Sequence, residues 1–267
     1  MPSPAEIDEL TAFAHKLADA AAAVTLPHFR SGVAVDNKRG DFKFDPVTAA
    51  DRDAEAAIRA LINAEYPSHG IFGEEHGREK GTSDNYWVID PIDGTRSFIA
   101  GVPLWGTLIA LNDGTKPVIG MMDQPYIGER FIGRPGGSEL VTRFGRTKLK
   151  TSNCTSLDDA ILGNTDPAMF RADAEKAAFR EMSQKIKLRR FGGDCYFYAL
   201  LAAGTIDLVV ESSLQPYDIQ AMIPIIENAG GVVTSWTGAD PQMGGHVVAA
   251  ATRELHAAAL AILKPAT

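Results

Sequence analysis

The residues best equipped for chemistry lie in one string, Trp87-Val-Ile-Asp-Pro-Ile-Asp-Gly-Thr95. An apolar strand runs into Asp90, Pro91 has no N–H with which to extend a ladder, and Asp93-Gly94 turns the chain. Two carboxylates three positions apart at a strand end can point at one spot, with the carbonyl of Ile92 in reach of it. Hard cations such as Mg²⁺ take oxygen ligands of this kind at ~2.0–2.1 Å in octahedral geometry. Gly94 and Thr95 add backbone N–H groups and a hydroxyl where a helix can begin, which suits an anionic phosphate. Asp-Pro and Asp-Gly are also ordinary turn dipeptides, so a plain turn competes with the cation reading.

Three further segments carry acids. In Gly73-Glu74-Glu75-His76-Gly77 two glutamates sit between glycines, which also describes a solvated loop. In Pro46-Val-Thr-Ala-Ala-Asp51 the Thr48–Asp51 spacing is that of a capping box, with an acid in the first helical turn. In Gln215-Pro-Tyr-Asp218 the acid again suits a helix start. No local pattern joins these segments to the first.

The elements that must position them follow from periodicity and turn signals. Ile7, Leu10, Ala14, Leu17, Ala21 and Val24 recur at helical spacing in an alanine-rich opening helix from Ser3 to Phe29. Thr48 starts a second helix ending near Tyr66-Pro67, and Gly70 to Asn85 reads as a loop. Strands are expected at Tyr86–Ile89, Leu104–Leu111, Val118–Met122 and Arg130–Ile132, in an antiparallel or mixed sheet. The polar, basic stretch from Gly136 to Lys150 reads as a domain boundary, giving a division into residues 1–145 and 146–267. The second half alternates. Strands are expected near Ile161, Lys187–Phe191, Ile206–Glu211, Val232–Ser235 and Val247–Ala251. Helices are expected at Asp173–Gln184, Asp194–Ala203, Tyr217–Ala229 and Leu255–Leu263, with Pro224 kinking the third. The fold class is therefore α/β, layered.

Composition narrows function. The 267 residues are 45% hydrophobic and 22% charged, enough apolar content for a large core. Lys plus Arg is 26 against 34 acids, a net charge of −8, which repels a phosphate backbone and argues against nucleic-acid partners. No apolar run is long enough to span a membrane. The acidic N-terminus lacks a signal peptide's basic and apolar regions, and the two cysteines, Cys154 and Cys195, are expected as free thiols in the cytoplasm. The six histidines show no zinc-site spacing.

Taken in order, Gly-Glu-Glu (73–75), Trp-Val-Ile-Asp-Pro-Ile-Asp-Gly-Thr (87–95) and a Tyr-Asp pair (217–218) opening a helix that ends in Glu-Asn-Ala-Gly-Gly (227–231) resemble the inositol monophosphatase family of metal-dependent phosphatases, over nearly the whole chain. The resemblance implies alternating α-β-α-β-α layers, two or three Mg²⁺ ions and a homodimer. It implies Glu74, Asp90 and the Ile92 carbonyl as ligands of a first metal, and Asp90, Asp93 and Asp218 as ligands of a second. Glu74 would also reach a third site. Gly94 and Thr95 would bind phosphate, and Thr95 with Asp51 would help activate the attacking water, making Asp51 both cap and catalyst. A lysine before Asp51, either Lys38 or Lys43, would approach the site. The implied reaction is direct in-line attack of water on a small phosphate monoester, with the proton taken by Glu74 or by the Thr95–Asp51 pair. Two metals would stabilise the attacking and leaving oxygens.

The substrate is expected to be set by the second half. Arg189-Arg190-Phe-Gly-Gly-Asp194-Cys-Tyr-Phe-Tyr198, Asn164-Thr-Asp-Pro-Ala-Met-Phe170 and Tyr217-Asp-Ile-Gln220 resemble the histidinol-phosphate phosphatase branch of the family. L-Histidinol phosphate carries an ammonium and an imidazole. Asp194 is expected either to pair with one of these or to cap its helix. Gln220 would bond a ring nitrogen. Arg190 would contact phosphate or close an ion pair, and Glu211 either takes the family position beside the substrate alcohol, which it matches, or is a solvated carboxylate at a strand end. The competing readings are another ester of the same chemistry (inositol monophosphate, a sugar bisphosphate or a nucleotide 3′-phosphate) and a non-catalytic regulatory binding protein.

Overall fold

The computed structural model describes residues 2–32, 35–37 and 46–267. Lys38 and Lys43 lie outside them. The N-terminal part holds α1 (Pro4–His28), β1 (Val35–Asn37), β2 (Pro46–Thr48), α2 (Ala49–Glu65), β3 (Gly70–Gly73), β4 (Gly77–Glu79), β5 (Tyr86–Asp93), α3 (Thr95–Ile99), β6 (Gly106–Asn112), β7 (Pro117–Gln124), β8 (Glu129–Arg134), β9 (Gly137–Thr142) and β10 (Gly145–Lys148). The remainder holds β11 (Ile161–Asn164), α4 (Asp173–Lys185), β12 (Leu188–Phe191), α5 (Asp194–Ala202), β13 (Leu208–Leu214), α6 (Pro216–Ile219), α7 (Met222–Glu227), β14 (Val232–Ser235), β15 (Gly245–Ala250) and α8 (Arg253–Leu263).

Two sheets organise the chain. The first has eight strands in the order β10-β9-β8-β7-β6-β5-β3-β4, antiparallel except for the parallel pair β3–β5. The second has five strands in the order β12-β11-β13-β15-β14, with β11 parallel to both its neighbours. Side chains of β5 to β7 alternate between two buried faces, as the two-residue period of a strand requires. Trp87, Ile89, Ile109, Leu111, Ile119 and Met121 pack under α1 and α2. Val88, Leu108, Ala110 and Met122 pack against α5 and α7, in a cluster that also takes Val209, Val247 and Ala249 from the second sheet. The far face of the second sheet, with Leu162, Leu208 and Val248, is covered by α4 and α8 through Phe179, Met182, Leu255 and Leu263. The layers therefore run α-β-α-β-α.

The middle layer sits close to the first sheet because two glycines face each other across β7 and β8, Gly120 opposite Gly133. A Cβ on Gly120 would lie 1.9 Å from the Ala221 carbonyl oxygen, and one on Gly133 would lie 2.3 Å from Ile225 Cα. The backbone of α7 rests directly on that bare strip.

Three local expectations change. The supposed loop from Gly70 to Asn85 contains the hairpin β3–β4, and the supposed boundary from Gly136 to Lys150 contains the hairpin β9–β10. The single helix expected from Tyr217 to Ala229 is two short ones with a break at Gln220-Ala221. Pro224 explains the break. Its ring excludes the bond to the carbonyl four residues back, that of Gln220, and a proline is tolerated in the first turn of a new helix, where N–H groups lack helical partners anyway.

Candidate active site

β5 ends in the site. Asp90 lies opposite Leu108 and Asp93 opposite Gly106, so three steps on β5 match two on β6, and the extra residue is a bulge. Thr107 Oγ1 donates to the Pro91 carbonyl at 2.8 Å and pins it. The Ile92 N–H donates to Asp90 Oδ1 at 3.1 Å, which fixes that carboxylate. Asp218 arrives from α6, where its carboxylate accepts the Gln215 N–H at 2.7 Å. Asp90, Asp93 and Asp218 each bring a carboxylate oxygen to within 4.8 Å of one another. Glu74 enters from the β3–β4 turn and shares a hydrogen bond with Asp90, and its charge acts on Asp93 and Asp218 as well.

The electrostatics record the crowding. Burial pushes Asp90 and Asp218 well above the usual carboxylate range, and the neighbouring acids push them further. Burial and the charge of Asp194 raise Asp93 to about 7, against the opposing effect of the Cys195 N–H, which donates to it at 2.7 Å from the start of α5. Such a set of hard oxygen donors, packed at mutual cost, fits a divalent cation.

A second acid pair adjoins the first. Asp194 opens α5 at a φ of +44°, its Oδ2 accepts from Ser97 Oγ at 3.0 Å, and the same oxygen lies 3.1 Å from where a Cβ on Gly94 would be. Burial raises its carboxyl, with Ser97 opposing. Glu211 is buried on β13, where its Oε1 accepts the Thr165 N–H at 2.7 Å. Burial raises it to about 8, against that bond, and the charges of Asp194 and Asp93 add to the rise. Gly94 holds a φ of +81° at the head of α3, a left-handed conformation that favours glycine.

The remaining expected residues fall out unevenly. Asp51 is buried, and its Oδ2 accepts from the N–H and hydroxyl of Thr48 at 2.8 and 2.7 Å, so the capping box is formed. Thr95 lies on α3, which packs beside β2, and its hydroxyl donates to the Ile92 carbonyl at 3.1 Å. Gln220 is turned inward. It is fully buried, its Oε1 accepts from Asn112 at 2.9 Å and its amide donates to the Gln242 carbonyl at 3.1 Å. Asn112 sits opposite Tyr86, four residues before Asp90 along β5 and so ~13 Å away, and Gln220 is committed to that inner network. Arg190 stands exposed on the edge strand β12, outside the acid clusters described here. Sequence reasoning missed Ser97 and the N–H groups of Thr165 and Cys195. Backbone donors leave no residue signature, and Ser97 lies two residues past the quoted motif.

The sequence pattern of the inositol monophosphatase family matches residues 6–266. The chain is 45% identical over 238 residues to "Bifunctional phosphatase IMPL2, chloroplastic" of Arabidopsis thaliana, covering 88% of this chain and 67% of that protein. It is 33% identical over 241 residues to a histidinol-phosphatase of Chlorobaculum parvum, covering 90% and 91%. An inositol monophosphatase from Zymomonas mobilis has the same fold, with a TM-score of 0.85 at 39% identity, covering 98% of this chain and all of that one. An acid cluster built on a bulged strand end, in a five-layered fold matched along nearly its whole length, places the chain in the inositol monophosphatase family.

Proposed function

We propose that the chain hydrolyses a small phosphate monoester with Mg²⁺, and that its substrate is L-histidinol phosphate, converted to L-histidinol and phosphate. The observation that carries the substrate is Asp194, a part-buried carboxylate beside the first cluster, held by Ser97 at 3.0 Å and set against Gly94. An ammonium or imidazolium gains a charge-assisted bond there of roughly 1.5–3 kcal/mol, while Glu211 stands at the position beside the substrate alcohol. The similarity to a histidinol-phosphatase of Chlorobaculum parvum supports it.

In this reading Asp90, Asp93, Asp218, Glu74 and the Ile92 carbonyl hold the metals. Bound Mg²⁺ would supply charge stabilisation to the phosphate oxygens and acidify the attacking water. The chain's own residues do the rest. The N–H groups of Gly94 and Thr95 hold the phosphate, and Thr95 and Asp51 orient the water. Glu74 accepts its proton, Asp194 pairs with the cationic end of the substrate, and Glu211 faces its alcohol. A homodimer belongs to the same reading, and light scattering would show it as twice the mass of the chain.

Phosphate release from a panel of esters tests the substrate. Histidinol phosphate is expected to be turned over fastest, and a rate no higher than that for inositol 1-phosphate overturns the assignment. Inositol monophosphate is the second reading, favoured by the likeness to the Zymomonas mobilis enzyme. A non-catalytic role is disfavoured by the cluster of Asp90, Asp93 and Asp218, whose carboxylate oxygens lie within 4.8 Å of one another.

A further inference from the structure

Beneath the turn that carries Glu74 lies a carboxylate that none of the roles above uses. Glu55, in the middle of α2, is fully buried. Its Oε2 accepts the Glu75 N–H at 2.7 Å and its Oε1 accepts the His76 N–H at 3.1 Å. Its charge is matched by Arg59, one helical turn on, whose Nε donates to Oε1 at 2.7 Å. Arg59 also donates to the Gly77 carbonyl and reaches Glu79 at 3.4 Å. The carboxylate lies so close under the strand end that a Cβ on Gly73 would be 2.0 Å from Oε1. Both ends of the β3–β4 turn, Gly73 and Gly77, are thus held against α2, and Glu74 is the residue the turn presents.

We propose that Glu55 is a positioning residue, which with Arg59 clamps the β3–β4 turn so that the Glu74 carboxylate is delivered to Asp90. A surface turn of three residues between short strands would otherwise sample several conformations, and each would carry Glu74 away from the cluster. Two N–H groups received by one buried carboxylate, itself held by a guanidinium, leave the turn one arrangement. The same helix presents Asp51 four residues earlier, on the same face, so α2 aligns two groups with β5 at once.

This inference rests on the reading of Glu74 as a metal ligand, and the experiment separates the two. Mg²⁺ is titrated calorimetrically into the wild type, E55Q, E74Q, E55Q/E74Q and R59K. Circular dichroism in EDTA checks that each is folded, and phosphate release is followed against Mg²⁺ concentration. E55Q is expected to weaken Mg²⁺ binding by roughly 10–100-fold, as loss of a group that orients a ligand does, while kcat at saturating Mg²⁺ falls less. In the E74Q background the same change is expected to alter binding by under about twofold, because its route of action is already gone. R59K keeps the charge and is expected to shift binding in the same direction by a smaller factor, and it serves if E55Q fails to fold. Wild-type Mg²⁺ affinity in E55Q, or effects of E55Q and E74Q that multiply independently, overturns the positioning role. Wild-type affinity in E74Q overturns the metal reading of Glu74 and this proposal with it.

Discussion

Four carboxylates of the site each accept an identifiable backbone N–H, and burial, more than these bonds, sets how they ionise. Asp90 takes the N–H of Ile92, Asp218 that of Gln215, Asp93 that of Cys195 and Glu211 that of Thr165. Glu211 makes the consequence measurable. Its carboxyl is raised from 4.5 to about 8 by burial, so the folded chain binds its proton more tightly than the unfolded chain does. The stabilising effect of that proton is complete below the unfolded value and is lost as pH rises through the folded one. The metal-free protein is therefore expected to lose thermal stability between pH 4.5 and about 8, and Glu211→Gln to flatten the fall. About 1 kcal/mol moves Tm by roughly 2–4 °C in a chain of this size, so several degrees should separate the two proteins at the alkaline end. Parallel curves in EDTA would remove Glu211 from this account. The quoted motif made Asp90 and Asp93 legible, since strand, proline and turn residue all act locally. The inward bonds of Gln220 were not legible, because its partners, Asn112 and Gln242, come from distant parts of the chain and engage the two ends of its amide without any local sign.

At the scale of elements, the site depends on how closely α6 and α7 approach the first sheet. Asp218 rides on α6, and α7 follows directly, seated on the bare strip made by Gly120 and Gly133. Gly120→Ala puts a methyl 1.9 Å from the Ala221 carbonyl oxygen, at the break between the two helices. Backbone cannot step aside as a flexible side chain can, so the helices must lift. The expected cost is ~2 kcal/mol or more, with weaker Mg²⁺ binding because Asp218 moves with them. A Tm within about 1 °C of wild type would show that the approach is not tight. This closeness was hidden in the sequence, where a glycine in a strand reads only as a weakness. The helical stripes of α1 and α2 and the apolar runs of β5 to β7 were readable because burial on one or two faces imposes a period. The hairpins β3–β4 and β9–β10 were not. Strands of three to six residues over Gly70–Glu79 and Gly137–Lys148 carry too few side chains to show one.

For the molecule as a whole, a net charge of −8 describes the distant field and misdescribes the site. Asp90, Asp93, Asp218 and Glu74 share one pocket, with Asp194 and Glu211 alongside. Without a cation, folding must bring these groups together against desolvation and mutual repulsion, so part of the stability generated by the five layers is spent there. With divalent cations bound, the same pocket becomes neutral or positive and attracts a phosphate dianion that the bare chain repels. A ligand that binds only the folded state stabilises it by mass action, about 2.7 kcal/mol at a hundredfold excess over its Kd. Mg²⁺ is therefore expected to raise Tm by roughly 5–10 °C, and EDTA to return it. Asp93→Asn separates the two halves of the argument. It removes one repelling charge, so the metal-free variant should melt no lower than metal-free wild type. It also removes a ligand, so the rise with Mg²⁺ should shrink and phosphate release should fall to background. A variant that keeps full turnover would overturn the assignment of Asp93. One that melts well below wild type in EDTA would show that the carboxylate holds the start of α5, through Cys195, more than it repels its neighbours.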